Sequence, residues 1–259
     1  MQERHQNRKQ YFNELALTSQ KFFIPYIKKY WNLEENKEVL EIGCGDGGNL
    51  LPFSHMRCHV TGVDIAECRI DQAKDFFKAE NAAATFIASD IFLLKNLEHK
   101  FDLIICHDVF EHIFDKKNFL SNLSRYLKPN GIVFMSFPAW QMPFGGHQQI
   151  CKSPILSHLP FVHLLPTFLY KRVIKGFGEN ENCLKELLEI KETQVPIELF
   201  EHLIKGTNLR ISNRTLWFIN PHYETKFGLK PRRLWPLVSC IPWIRNFFTT
   251  SCFYILEAK

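Results

Sequence analysis

The chain has 259 residues, 46% of them hydrophobic and 23% charged, with a formal net charge of +5. This is the profile of an ordinary globular protein, long enough for one large α/β domain or a domain with a substantial insertion. It excludes a low-complexity chain, and the most apolar stretches, 154–170 and 234–248, are interrupted by Pro with His or Arg before reaching transmembrane length.

Residues 1–35 carry no secretory apolar core, which predicts a cytoplasmic protein. Within them, 9–31 mix apolar and basic positions at helical spacing and predict one or two helices covering the site that follows. From residue 36 the order becomes strand, helix, strand, helix. Strands are predicted at 37–42, 58–63, 84–88, 101–106 and 131–137, with helices at 48–55, 66–79 and 115–127 and a short helical turn near 92–97. Asp115 is placed to cap the third helix, and Pro129-Asn130-Gly131 to end it. The rhythm breaks over 138–193, which reads as a lid insertion after the fifth strand; prolines at 154, 160 and 166 restrict it to short amphipathic pieces. Alternation resumes with a helix near 196–206 and strands near 209–219 and 250–257, joined across a second insertion at 221–248. The expectation is a doubly wound, mostly parallel, seven-stranded Rossmann-like sheet, with 36–137 as the ligand-binding core and 194–259 completing it.

Charge and cysteine usage bound the partners. Residues 202–259 hold nine basic side chains against Glu224 and Glu257, a balance suited to phosphate, an anionic membrane surface, an acidic glycan or simply solvated loops. The eight cysteines show no C-x-x-C pair and no zinc-type spacing, so reduced thiols are expected.

Chemistry concentrates at the end of the first strand, where Val39-Leu-Glu-Ile-Gly-Cys-Gly-Asp-Gly places Gly43, Gly45 and Gly47 at alternate positions before a helix. Such glycines let a backbone turn tightly and approach a nucleotide. Gly43, Gly45 and Gly48 also satisfy G-x-G-x-x-G, so a dinucleotide remains open at this point. Downstream, Asp64 ends the second strand, 21 residues past Gly43, where a carboxylate can accept both ribose hydroxyls. Asp90 ends the third strand within Phe86-Ile-Ala-Ser-Asp. Then come Phe101-Asp-Leu-Ile-Ile-Cys-His-Asp-Val-Phe-Glu-His-Ile and Leu127-Lys-Pro-Asn-Gly.

These five elements, in this order and spacing, resemble the class I S-adenosylmethionine-dependent methyltransferases over about residues 36–137, and more weakly over the closing helix and strands. The resemblance implies S-adenosylmethionine as cofactor. It implies that Gly43, Cys44 and Gly45 wrap the methionine moiety, with Glu41 steadying the loop and facing the amino-acid end. Asp64 would hold the ribose and Ile65 pack on the adenine. Ser89, Asp90 and Ile91 would surround the exocyclic amine, and His107 would lie under the methionine tail.

Asp108, Glu111 and His112 have i, i+3, i+4 spacing and, if helical, share one face. They are similar to the E-x-x-E-H element of ubiquinone-pathway O-methyltransferases, in which those residues ligate a divalent cation; the shorter Asp108 argues for assigning no metal here. His147, in the flexible-looking turn Phe144-Gly-Gly-His-Gln, is the other candidate base. The catalytic set is therefore His147, His112 and Glu111. Pro143-Phe-Gly-Gly-His-Gln and Phe227-Gly-Leu-Lys-Pro are similar to bacterial methyltransferases of surface-glycan assembly. A small-molecule or glycan hydroxyl is the expected acceptor, with peripheral membrane contact as a further expectation. A nucleic-acid partner is not expected, because no arginine-rich single-strand platform is present. An N- or carboxyl-methyltransferase and a silent cofactor-binding scaffold are the alternatives.

Overall fold

The structure is a computed structural model and describes residues 7–259; residues 1–6 of the predicted N-terminal segment lie outside the described residues. Eight strands form one sheet in the order β3-β2-β1-β4-β5-β8-β6-β7. They are β1 (Glu38–Ile42), β2 (His59–Asp64), β3 (Thr85–Ala88), β4 (Phe101–His107), β5 (Leu127–Phe137), β6 (Leu209–Ile219), β7 (Arg232–Arg233) and β8 (Ser251–Ala258). The first five pair in parallel, and β8, β6 and β7 add antiparallel neighbours.

The expected seven strands are all present, and β7 is the eighth. It consists of two residues pairing with Trp217 and Ile219 at the sheet edge. Two residues cannot display an alternating pattern, which is why the segment read as part of an insertion.

Side-chain alternation puts a core on each face. Leu40, Ile104, Val133 and Met135 pack beneath α5 (Lys116–Leu123) and α9 (Ile197–Lys205). Val39, Leu103, Ile105 and Phe134 face the opposite layer. That layer comprises α1 (Arg8–Thr18), a π-helical turn (Ser19–Phe23), α2 (Ile24–Tyr30), α3 (Leu51–His55) and α4 (Glu67–Ala79). Many phenylalanines pack here, Phe23, Phe134 and Phe253 meeting at ring separations of 5.0–5.5 Å.

Asp115 caps α5 as expected, accepting from the Asn118 amide at 3.0 Å. The helix is shorter than predicted: its last turn tightens over Ser124–Tyr126, and β5 begins at Leu127 rather than at Gly131. The segment expected to form a lid contains α6 (Pro154–His158), α7 (Thr167–Gly176) and α8 (Glu181–Glu192), the first two introduced by Pro154 and Pro166. Leu156, Tyr170, Ile174, Leu184 and Leu187 give it an apolar cluster of its own. The second insertion carries α10 (His222–Phe227), α11 (Pro236–Ser239) and α12 (Ile244–Phe247). No helix among the described residues is long and apolar enough to cross a membrane.

Candidate active site

A crevice of about 580 Å³ opens at the C-terminal ends of β1, β2, β3 and β4. Gly43, Asp64, Ile65, Ser89, Asp90 and Ile91 line it, with Asp108 and His112 on its far side. Ile65 is 82% exposed, an apolar side chain standing free at the end of β2. Asp64 accepts from the Gly45 amide and from the Ala66 amide, both at 2.9 Å, so it ties the glycine loop to the start of α4. Asp90 accepts from the Phe92 amide at 2.9 Å. Both carboxylates therefore do act as local caps. Each carboxylate oxygen still has a second lone pair for an incoming hydroxyl or amine. Ile91 is also a core side chain, so its contribution to the crevice wall is partial.

Glu41, Cys44, Gly45 and His107 are outside the residues lining this crevice. Glu41 is 1% exposed; one oxygen accepts from Asn49 Nδ2 at 2.7 Å, and the other accepts no hydrogen bond among the described residues. Burial, only partly offset by Asn49, pushes its pKa up to about 8. Ser19 holds the Asn49 carbonyl at 2.8 Å, which brings the π-helical turn over the loop. The His107 ring packs against Phe23 at 4.9 Å. At Gly45, φ is +51° and a Cβ would meet nothing within 4 Å, leaving an approach to backbone that a side chain would fill.

The loop after β4 departs from expectation. Asp108 adopts φ +52°, and only Phe110–His112 form a tight helical turn. One left-handed residue breaks the i, i+3, i+4 register, so Asp108 does not join Glu111 and His112 on a common face. His147 takes its place: one ligand atom each from Glu111, His112 and His147 lie within 4.8 Å of one another. The two imidazole rings meet edge-on with centroids 5.2 Å apart. Glu111 is buried, and neither of its oxygens has a hydrogen-bond partner among the described residues. Burial, reinforced by Asp108, pushes its pKa well above the usual carboxyl range. Lys116, donating to the Ile113 carbonyl at 2.6 Å, is held down to about 8 by burial against the opposing pull of Glu111. Desolvation also lowers His112 from 6.5, with Asp108 opposing.

The His147 turn is packed rather than flexible. A Cβ on Gly145 would stand 2.1 Å from the Trp140 carbonyl oxygen, and one on Gly146 2.2 Å from His163 Cβ. Glycine is therefore required here by close approach. The buried His163 in turn holds the Trp140 carbonyl at 2.8 Å through Nε2.

A family model described as a methyltransferase domain matches residues 33–193. The chain belongs to the class I S-adenosylmethionine-dependent methyltransferases. A ubiquinone biosynthesis O-methyltransferase from Bartonella tribocorum is 31% identical over 63% of this chain and 66% of its own length. Homologues of that name from Rickettsia are matched over 46–48% of theirs, so the chain spans about half to two thirds of these curated relatives. Among solved structures, the magnesium protoporphyrin IX methyltransferase of Synechocystis aligns over 95% of this chain and 84% of its own, with TM-score 0.54 and 16% identity. The geranyl diphosphate C-methyltransferase of Streptomyces coelicolor aligns over 90% and 76%, with TM-score 0.54 and 13% identity. Both establish a shared fold.

The cofactor of this methyltransferase is S-adenosylmethionine. The residues present fit it: the orphaned, buried Glu41 oxygen suits a cationic amine, and the open face at Gly45 suits a close ligand.

Three contributors escaped the sequence reading. Asp46, buried within the glycine loop, is ion-paired with Arg8 of α1 and lies 3.5 Å from Arg69 of α4. Burial raises the Tyr11 and Tyr223 phenols to about 12, and the nearby Asp108 charge adds to both. Tyr11 of α1 and Tyr223 of α10 thus lie within the influence of Asp108, which lines the crevice. Their sequence separations of up to 212 residues from one another offer no local pattern to find them by.

Proposed function

We propose that the methyltransferase transfers a methyl group to a hydroxyl of a small molecule or glycan, and that Glu111, His112 and His147 serve the acceptor. The observation that carries this reading is the convergence of two imidazoles and a buried carboxyl beside the cofactor crevice. Bound S-adenosylmethionine supplies a methyl already activated on a sulfonium. The chain then has to orient the acceptor and remove its proton. His112, kept below its ordinary pKa, is neutral at physiological pH and can accept that proton on a ring nitrogen. His147, fixed by the packed turn, positions the acceptor against it. The relatives named as O-methyltransferases favour a hydroxyl over an amine.

A second reading is supported by Glu111: two orphaned carboxylate oxygens with two imidazoles close by suit a divalent cation. Such an ion would be held by Glu111, His112 and His147, and would supply electrophilic polarisation of the acceptor oxygen.

The test is turnover with tritiated cofactor over cell extract fractionated by chemical class, followed by variants on the acceptor found. His112→Gln and His147→Ala should each lower kcat by about 10²–10⁴-fold while leaving cofactor affinity intact. Because the His112 pKa is lowered, the wild-type kcat should fall only as pH drops below 6.5. Normal turnover in both variants would refute the acid–base assignment, and activity surviving a chelator would dispose of the cation.

A further inference from the structure

The segment between β7 and β8 is inside out. Trp235 and Leu237 are 77% and 84% exposed, and every exposed position from 235 to 248 is apolar. The segment's one cation, Arg245, is turned inward, where it pairs with Glu198 and Glu201 at 2.9 Å. Asn246 is buried too, holding the Ile197 amide. Globular surfaces arrange these residue types the other way round.

The apolar face continues across to the lid. Phe161 meets Phe247 at 6.4 Å between ring centroids, and the lid also exposes Ile155 and Phe168, the latter by 70%. Phe161 is tethered by its amide to the Pro143 carbonyl at 2.7 Å, on the same turn that carries His147.

The charge carried by these two stretches of sequence has one sign. The sequence holds no Asp or Glu from 225 to 256 and none from 116 to 178. Lys230, Arg232 and Arg233 are exposed in the second insertion, and Lys152, Lys171 and Arg172 in the lid. A second copy of the chain docked here symmetrically would set these cations against their own equivalents, with no acid from either stretch to pair them. Tryptophan at an apolar–polar boundary, flanked by Lys and Arg, matches instead the interfacial zone of a bilayer with anionic headgroups.

We propose that the surface formed by 235–248 and the tip of the lid docks the protein on an anionic phospholipid membrane, with Trp235, Leu237 and Trp243 entering the interface. This names a partner for the face adjoining the site read above as methyl-transferring. Vesicle binding is measured without cofactor or acceptor, so the two readings stand or fail separately.

The experiment is co-sedimentation of the full chain with vesicles of phosphatidylcholine alone and of phosphatidylcholine mixed with phosphatidylglycerol. Binding should require the anionic lipid and shift tryptophan emission to the blue. Trp235→Ser with Leu237→Ser should weaken binding at least about tenfold. Arg232→Glu with Arg233→Glu should weaken it by more than about fivefold per position, since each reverses a charge. Lys100→Glu, exposed outside both insertions, should leave it unchanged. All four altered side chains of the double variants are exposed, so thermal melts should be unaffected. Absence of vesicle binding, binding indifferent to both double variants, or self-association abolished by Trp235→Ser with Leu237→Ser would each overturn the proposal.

Discussion

Glu41 and Asp64 show what one residue's surroundings impose. With its pKa raised from 4.5 to about 8, chiefly by burial, the Glu41 carboxyl is protonated at pH 7 in the folded chain. The unfolded chain ionises near 4.5, so folding takes up a proton between those values. The stability contribution of Glu41 is thus intact below 4.5 and is lost as pH rises through about 8. A cationic amine facing the orphaned oxygen would reverse the shift and expel the proton. Calorimetry at pH 7 in buffers of differing ionisation enthalpy should therefore record release of about one proton on S-adenosylmethionine binding, and none for Glu41→Gln. Equal release from both would remove Glu41 from the cofactor's amino-acid end. The place of Gly43, Asp64, Ser89 and Asp90 along one crevice was legible because each lies at a strand end, and parallel topology delivers strand ends to one rim. Asp108 shares a face with Glu111 and His112 only if the loop is helical, and a single backbone at φ +52° redirects it. The pairing of His112 with His147 was illegible for another reason: it is a contact across 35 residues made by lid packing.

At the level of elements, parallel strands announce themselves by continuous apolar runs, and β1 to β5 could be placed to within a few residues. Short elements were uneven: the helical turn expected near 92–97 is present as two tight turns, Ile91–Leu93 and Lys95–Leu97, whereas the single turn at Phe110–His112 and the two-residue edge β7 carry no periodic pattern. The lid's double glycine was legible as a turn, but its rigidity was not, since that depends on Trp140 and His163 crowding the backbone. Gly146→Ala would place a methyl 2.2 Å from His163 Cβ and displace the His147 turn. The cost should be about 1–3 kcal/mol of stability. With an identified acceptor, kcat should fall at least tenfold while cofactor affinity stays within about twofold, because the lid turn lies outside the glycine loop. A variant with normal kcat and an unchanged melting temperature would show that the turn gives way without consequence.

The whole molecule joins a sheet rim, proposed to hold the cofactor, to two insertions that follow β5 and separate β6 from β8. The sheet was legible in the sequence because five motifs kept their order and spacing. How the insertions meet was not: the Phe161–Phe247 contact and the burial of Arg245 arise only from tertiary packing. The proposed acceptor site belongs to this scale, beside the Glu111, His112 and His147 cluster. The proposed chemistry requires that the crevice at Asp64 hold S-adenosylmethionine. Titration calorimetry of the wild type, Asp64→Asn and Asp64→Ala with that cofactor tests it most directly, with thermal melts confirming that each variant is folded. The prediction is saturable one-to-one binding by the wild type, weakened about 10- to 150-fold in Asp64→Ala, as expected for losing about 1.5–3 kcal/mol of charge-assisted hydrogen bonding, and less in Asp64→Asn. Unchanged affinity in a folded Asp64→Ala protein would contradict it.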